Sequence, residues 1–413
     1  MAHNGAVALL TGGAGFIGSH VIDHLIALNF STIVCADDLS GGSRSNVPLG
    51  ATLEVGDLKN ASFISSLFAR YRFDYVYHLA AYAAEGLSHF IRSFNYRNNL
   101  IATTLLINAA VKAQTVRCFV FTSSIAVYGT ASHLGPMSEV GTSPQPEDPY
   151  GIAKRAAELD LEAAHRVFGL PYVIFRPHNV YGPRQARDRY RNVISIFLSQ
   201  LAANQSLSIF GDGEQTRAFT YIDDAASPIA MAPLVPAAYN RTFNVGTDEV
   251  ITVNELATSL ATAWGRSPPN ITHLPARHEV THAYASHTLL REVFGSALLP
   301  STPLRAGIEA TVAWAKQSGH WEPTTHSDEA VGPAVAAVEV AQGLPPSWAS
   351  AAPQEVDEVV SLERHSTSHR SGEEDRPAHE ECSAKGAQSP RARNPVSRWF
   401  LRVVARFTIG GHS

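Results

Sequence analysis

An apolar run, Ala6–Leu10, leads into Leu10-Thr-Gly12-Gly-Ala-Gly15-Phe-Ile-Gly18 and then into a helical pattern over Phe16–Leu28. No other feature constrains the chain as strongly. Glycines at these spacings let a strand turn sharply into a helix and leave the first amide groups of that helix open. A unit of this kind belongs to a parallel sheet. Further strand candidates follow at Thr32–Ala36, Thr52–Val55, Tyr75–Leu79, Cys118–Thr122 and Tyr172–Phe175, separated by helical stretches such as Tyr150–Phe168. The expected class is α/β, a doubly wound parallel sheet wrapped by helices.

With 413 residues the chain is long enough for two domains or for one large domain with a tail. The regular alternation predicts a first domain over residues 1–183. From residue 184 strands and helices shorten and prolines become more frequent, which predicts a smaller C-terminal lobe over 184–349, with the ligand cleft between the two. Beyond about Ser350 the sequence is rich in Ser, Glu, Arg and Pro and cannot bury enough apolar surface to fold alone, so 350–395 reads as a disordered linker. Residues 396–413 form a last segment, in which Arg398, Arg402 and Arg406 share one helical face and Trp399, Val403 and Phe407 another. This amphipathic basic helix suggests peripheral contact with an anionic membrane; docking on protein is the alternative.

The second strand candidate ends at Asp37, nineteen residues past Gly18. A carboxylate there accepts hydrogen bonds from the ribose hydroxyls of a bound dinucleotide and repels a 2′-phosphate, which favours NAD over NADP. The expected cofactor contacts are Gly12, Gly15, Phe16, Ile17 and Gly18 in the turn, Asp37, then Asp57 and Leu58 after the third strand. Leu79, Ala80 and Ala81 extend the set at the end of the fourth strand. The alternative is a glycine-rich structural turn with capping aspartates.

Tyr150 and Lys154 stand four residues apart at the start of a helical pattern and therefore share a face. An ammonium beside a phenol favours the phenolate, and a nicotinamide cation would add to that, making the tyrosine usable as a base near neutrality. Ser124, just past the fifth strand, is placed to hydrogen-bond the same reacting hydroxyl. A Tyr-x-x-x-Lys spacing also arises by chance; here the preceding Ser-Ser-Ile-Ala-Val-Tyr-Gly, the Pro149 before it and the cofactor turn upstream strengthen it.

Together these residues resemble the extended short-chain dehydrogenase/reductase family, and within it the UDP-glucose 4-epimerase branch. The likeness covers residues 5 to 320 and rests on Thr11-Gly-Gly-Ala-Gly-Phe-Ile-Gly18, Asp37-Asp-Leu-Ser, Gly56-Asp57-Leu58, Asn98-Asn99, Ser123-Ser124, Val127-Tyr-Gly129, Tyr150 with Lys154, and Arg176-Pro-His-Asn179-Val-Tyr-Gly-Pro183. It implies a Rossmann-like fold, catalysis by Ser124, Tyr150 and Lys154, and an NAD site that also takes in Asn98, Tyr150, Lys154 and the backbone of His178. It further implies a UDP-sugar substrate held by Ser124, Asn179, Asn192, Val193, Arg217 and Arg277, the two guanidinium groups gripping phosphate oxygens.

The reaction in such enzymes is decided next to the tyrosine. By resemblance, 4,6-dehydratases place an Asp-Glu pair directly after the residue matching Ser124, because removing water needs an acid and a base, and decarboxylating relatives place a glutamate there. Here those positions are Ile125 and Ala126, neither of which can move a proton. The resemblance therefore implies 4-epimerisation through a 4-keto intermediate. A dehydratase or 4-keto reductase of the same fold is the first alternative, and a non-catalytic NAD-binding scaffold the second. Two departures bear on the sugar pocket: the usual Arg-Asp-Phe is Arg217-Ala218-Phe219, and the usual Arg-x-Gly-Asp is Arg277-His278-Glu279-Val280.

A net charge of -5 gives no reason to expect a nucleic-acid partner. Cys35, Cys118 and Cys382 have neither a metal nor a disulfide spacing and read as plain thiols in a reducing compartment, the expectation being a cytoplasmic homodimer without a metal.

Overall fold

A computed structural model describes residues 5–318 apart from 135, 187–191 and 277–281. The expected linker and basic helix, and Arg277, lie outside the described residues. Seven strands build one sheet: β1 (Val7–Thr11), β2 (Thr32–Asp37), β3 (Thr52–Val55), β4 (Tyr75–His78), β5 (Cys118–Thr122), β6 (Tyr172–Pro177) and β7 (Arg241–Val245). Every pairing is parallel, in the order β7-β6-β5-β4-β1-β2-β3.

The alternation of side chains explains why helices cover both faces. Leu9, Val34, Val76, Phe119 and Ile174 point to one side, where they meet Leu106 of the helix Ala102–Ala113 and Leu161 of the helix Pro149–Phe168. Their neighbours Leu10, Cys35, Tyr77, Val120 and Phe175 point to the other, against Val21 and Leu25 of Phe16–Ala27 and Ile229 of Ile222–Met231. A strand buried on both faces has to be apolar almost throughout, as these runs are. Cys35 and Cys118 are free thiols within this core, and burial pushes the Cys35 thiol up to about 12.

The chain enters the sheet at β1, winds outward through β2 and β3, and returns to the opposite side of β1 at β4. That reversal opens a crevice at the carboxyl ends of β1 and β4. Residues past 184 contribute to both halves of the molecule. β7 completes the large sheet, whereas Val193–Ala202, Val253–Trp264 and Leu304–Ser318 pack a separate core around Phe197, Leu256 and Ile308. Beside that core the strand Thr216–Ala218 is paired antiparallel with Val250–Thr252 and parallel with His282–Ala283.

Candidate active site

The functional residues read from the sequence gather along the carboxyl edge of the sheet. At the end of β1 the backbone turns through Gly12, whose φ is +75°. A Cβ on Gly12 would come within 2.7 Å of the Ala80 backbone, so β1 and the loop after β4 approach as closely as glycine allows. The helix Phe16–Ala27 that follows has Gly15 at its N-cap and no side-chain cap, so its first amides stay available to an anion. Asp37 sits beside this cradle, with Oδ2 accepting from Ala14 N at 3.0 Å and Oδ1 from Leu39 N at 2.8 Å. Burial raises its carboxyl above the ordinary value, against the pull of those two amides. Phe16, Ile17 and Gly18 open the helix, and Leu79, Ala80 and Ala81 line the opposite loop, with Ala80 N donating to Thr11 Oγ1 at 3.3 Å.

His78, at the end of β4, lies between two hydroxyls: its Nδ1 is 2.7 Å from Thr11 Oγ1 and its Nε2 2.8 Å from Thr103 Oγ1. Thr103 already donates to Asn99 O at 2.8 Å, so the imidazole donates from Nε2 and accepts at Nδ1. Burial, with Lys154 nearby, lowers it to about 3 and keeps it neutral. Asp57 and Asn98 are joined by Lys59, whose Nζ is 3.1 Å from Asp57 and donates to Asn98 Oδ1 at 2.8 Å; Leu58 beside them is buried. Asn98 and the buried Asn99 lie in a π-helical stretch, Arg97–Ile101, a local widening frequent at functional sites. Asn99 ties down Tyr82 at 2.7 Å, and Asn95 donates to Pro149 O at 2.8 Å, which fastens this segment to the helix bearing Tyr150.

That helix starts at Asp148, whose Oδ1 accepts from Tyr150 N at 2.9 Å and Gly151 N at 3.0 Å. A Cβ on Gly151 would come within 2.6 Å of Ala126 O, so only glycine lets the helix press against the loop after β5. Tyr150, Lys154 and Ser124 are all buried there. Lys154 Nζ donates to Thr122 O at 2.8 Å and lies 4.9 Å from the Phe121 ring centre and 5.9 Å from that of Tyr150. Burial brings its ammonium down to about 7, with Glu158 acting the other way. Ser124 Oγ accepts from Ala126 N at 3.1 Å and remains able to donate. Thr122 Oγ1, buried at the same strand end, has no hydrogen-bond partner. An unsatisfied hydroxyl and an uncapped helix start facing a glycine turn are what a bound dinucleotide would complete, so the residues present fit NAD.

Other polar groups at this edge were not anticipated. Glu158, one turn beyond Lys154, takes a bidentate contact from Arg176 of β6, Nε at 2.8 Å and Nη2 at 2.7 Å. Burial opposes the charge on Glu158, but Arg176, helped by Ser123 and Arg155, more than offsets this and holds the carboxyl below its usual value. Arg176 also reaches the Tyr128 hydroxyl at 2.8 Å, which donates to Asn244 of β7 at 2.9 Å. Glu85 opens a short helix, Glu85–Ser88, whose Ser88 hydroxyl lies 3.2 Å from Asp148. Solvent reaches Glu85, although neighbouring protein desolvates its carboxyl. This desolvation, with Asp148 adding to it and Arg217 opposing it, brings the carboxyl up to about 7.

The predicted substrate residues other than Arg277 are tied into the backbone around them. Asn179 adopts a left-handed backbone, φ +43°, and donates from Nδ2 to Ala218 O at 3.0 Å. Asn192 caps the helix Val193–Ala202 through Ile194 N at 3.0 Å while donating to Val180 O at 3.0 Å, so both ends of its side chain serve the fold. Arg217 lies in the strand Thr216–Ala218 and donates to Thr216 O at 2.9 Å. The backbone carbonyl of His178, expected to face a nicotinamide, accepts from Thr220 Oγ1 at 2.9 Å. No group of three metal-binding side chains occurs among the described residues, and no helix among them is long and apolar enough to cross a membrane.

Comparison with known proteins agrees with this geometry. The model of the NAD dependent epimerase/dehydratase family matches residues 8–246, more than half of the chain. The chain belongs to this family. UDP-glucose 4-epimerase of Mycolicibacterium smegmatis is 33% identical over 309 residues, covering 74% of this chain and 96% of that protein. Human dTDP-D-glucose 4,6-dehydratase is 30% identical over 336 residues, covering 76% and 90%. The crystal structure of UDP-glucose 4-epimerase from Thermotoga maritima with UDP-glucose superposes with a TM-score of 0.70 at 31% identity, covering 76% of this chain and 99% of that one. Epimerases and dehydratases of this family act on nucleotide sugars, and the chain is one of these NAD-dependent enzymes.

Proposed function

We propose that this enzyme is a nucleotide-sugar 4-epimerase of the UDP-glucose/UDP-galactose type. The observation that carries this reading is local. Lys154 Nζ donates to Thr122 O at the end of β5 and lies 5.9 Å from the Tyr150 ring centre, Ser124 follows that strand, and the two positions after Ser124 are the proton-inert Ile125 and Ala126. Tyr150 takes the proton of the sugar's 4-hydroxyl, Ser124 donates to the same oxygen, and the Lys154 ammonium, held by Thr122 O, stabilises the phenolate. NAD, when bound, supplies the chemistry of taking hydride from carbon 4 and giving it back. Asn179, Asn192, Val193, Arg217 and Arg277 hold the nucleoside diphosphate while the 4-keto sugar turns over between its two faces.

A second reading is favoured by Glu85. A carboxyl brought up to about 7 beside Asp148 is suited to moving a proton elsewhere on the ring, as a dehydratase must. Turnover of UDP-sugars in D₂O, followed by NMR, separates the two. Epimerisation inverts carbon 4, leaves no carbon-bound deuterium and accumulates no NADH. Deuterium at carbon 5, loss of the 6-hydroxyl or stoichiometric NADH consumption would overturn the epimerase reading.

A further inference from the structure

A chain of polar groups behind the β6 loop, two buried histidines and a half-exposed aspartate, takes no part in the proton transfers above. His287 Nδ1 is 2.7 Å from Asp248 Oδ1, His287 Nε2 is 2.9 Å from His178 Nε2, and His178 Nδ1 is 3.4 Å from Ala218 O. The two rings lie 5.0 Å apart and 20° from parallel, and both are almost wholly buried. A Cβ on Gly246 would collide with the His178 ring, so the pocket leaves just the room an imidazole needs.

The spacing assigns the protons. A carboxylate only accepts, so the first proton sits on His287 Nδ1. His287 Nε2 is then an acceptor, and the second proton sits on His178 Nε2. Two neutral imidazoles carry no third N–H, and the remaining gap is the longest of the three. Burial favours this neutral state: it lowers His178 to about 3, and it lowers His287 against the opposing pull of Asp248. The charged groups acting on the pair are Asp248 and Arg291, themselves joined at 2.6 Å.

The other end of this chain, His178, is bonded directly to Asn179 on the substrate side. The Ala218 carbonyl receives the Asn179 amide at 3.0 Å. Thr220 grips the same turn twice, its hydroxyl on His178 O at 2.9 Å and its amide on Asn179 O at 3.1 Å. Asparagine tolerates a left-handed backbone, and these two contacts fix the turn around it.

We propose that His287 and Asp248 are positioning residues for the nucleotide-sugar site, locking His178 in one tautomer and ring plane so that Asn179 and Ala218 stay in register for the diphosphate. This rests on the reading above, in which Asn179 and Arg217 flank that diphosphate. The test uses the full-length, NAD-loaded protein with UDP and dTDP as calorimetric probes, which needs no turnover. His287→Phe leaves the His178 N–H without an acceptor and should weaken nucleotide binding about tenfold, the scale of one buried unsatisfied donor, while NAD content is unchanged. His287→Gln should restore affinity to within about threefold of wild type, because its amide oxygen accepts from His178 and its NH₂ donates to Asp248. Should the phenylalanine variant fail to fold, Asp248→Ala, at a half-exposed position, serves instead and should weaken binding about threefold. Histidine ¹⁵N spectra should show Nδ1–H on His287 and Nε2–H on His178. An Nε2–H His287, a phenylalanine variant with wild-type affinity, or a glutamine variant as weak as the phenylalanine one would each overturn this role alone. Wild-type protein that binds neither nucleotide would overturn the substrate reading and this role with it.

Discussion

Replacing Lys154 by methionine should make the cofactor-free protein more stable at neutral pH and less stable at high pH. The lysine is buried, and its folded-state pKa of about 7 lies below the ordinary 10.5. Between those values the unfolded chain keeps a proton that the folded chain has released, so the wild type gains stability as pH rises through this window. Below about 7 both states are protonated and the full cost of the buried charge is present. A pKa difference of this size, at about 1.4 kcal/mol per pH unit, corresponds to about 4–5 kcal/mol. Methionine removes that cost, and with it the 2.8 Å hydrogen bond to Thr122 O that the neutral amine keeps, about 1–1.5 kcal/mol. The net expectation is a gain of about 3 kcal/mol at pH 7 and a loss of about 1 kcal/mol near pH 10. The wild-type and variant curves therefore cross. Urea unfolding of both proteins between pH 6.5 and about 10 measures this, and titrations common to the two cancel in the difference. A variant whose stability difference from wild type does not change with pH would refute the assignment of a depressed lysine.

Asp37→Ala should weaken NAD more than NADP, because it removes a carboxylate suited to the ribose hydroxyls and repellent to a 2′-phosphate; nucleotide released by heat identifies the bound form, and NADP alone would contradict the argument. Tyr150→Phe keeps the buried ring but loses its hydroxyl, so NAD retention should persist while turnover falls by about 10²-fold or more, read by steady-state assay. Glu85→Gln should delete an ionisation near pH 7 from the profile of kcat/KM, since the wild-type carboxyl is protonated below that pH and charged above it. Superimposable wild-type and variant profiles would place Glu85 outside the substrate's reach.

The sheet was legible because five of its first six strands are buried on both faces, β3 at the edge being only partly covered, and a buried parallel strand has to be written as a short apolar run with turn residues at its ends. β7 was not. Arg241-Thr-Phe-Asn-Val245 begins with two polar residues at the sheet margin and follows the shorter elements of the smaller lobe, so only its pairing with β6 reveals where it belongs. The proposed catalytic pair was legible for a related reason, since Tyr150 and Lys154 share a helix face and local spacing places them together. Glu158 continues that face one turn further on, but a glutamate there reads equally well as part of a solvated surface. What makes it a buried anion is Arg176, on a strand that the sequence alone does not bring alongside. Asp248, His287 and His178 are likewise joined only by the closing of the chain.

These unanticipated groups have a common place and a common cause. Toward the amino ends of the strands the core is apolar, and among the described residues no ion pair such as Glu158–Arg176 is buried there. Toward the carboxyl ends the chain buries Lys154, Glu158, Arg176 and His178. A buried ion pair adds little to stability over a well-packed apolar replacement, whereas removing one partner leaves an uncompensated charge costing about 3–5 kcal/mol. Such a pair therefore fixes geometry more than it adds strength. Glu158 is drawn to Arg176 at 2.7 Å and Arg176 to Tyr128 at 2.8 Å, which locks the register of the Tyr150 helix against β6. In that register Lys154 Nζ donates to Thr122 O, and its ammonium is desolvated beside the tyrosine. Polar burial at this edge breaks the rule that makes the rest of the sheet readable, and it does so where a site requires rigid placement of charge.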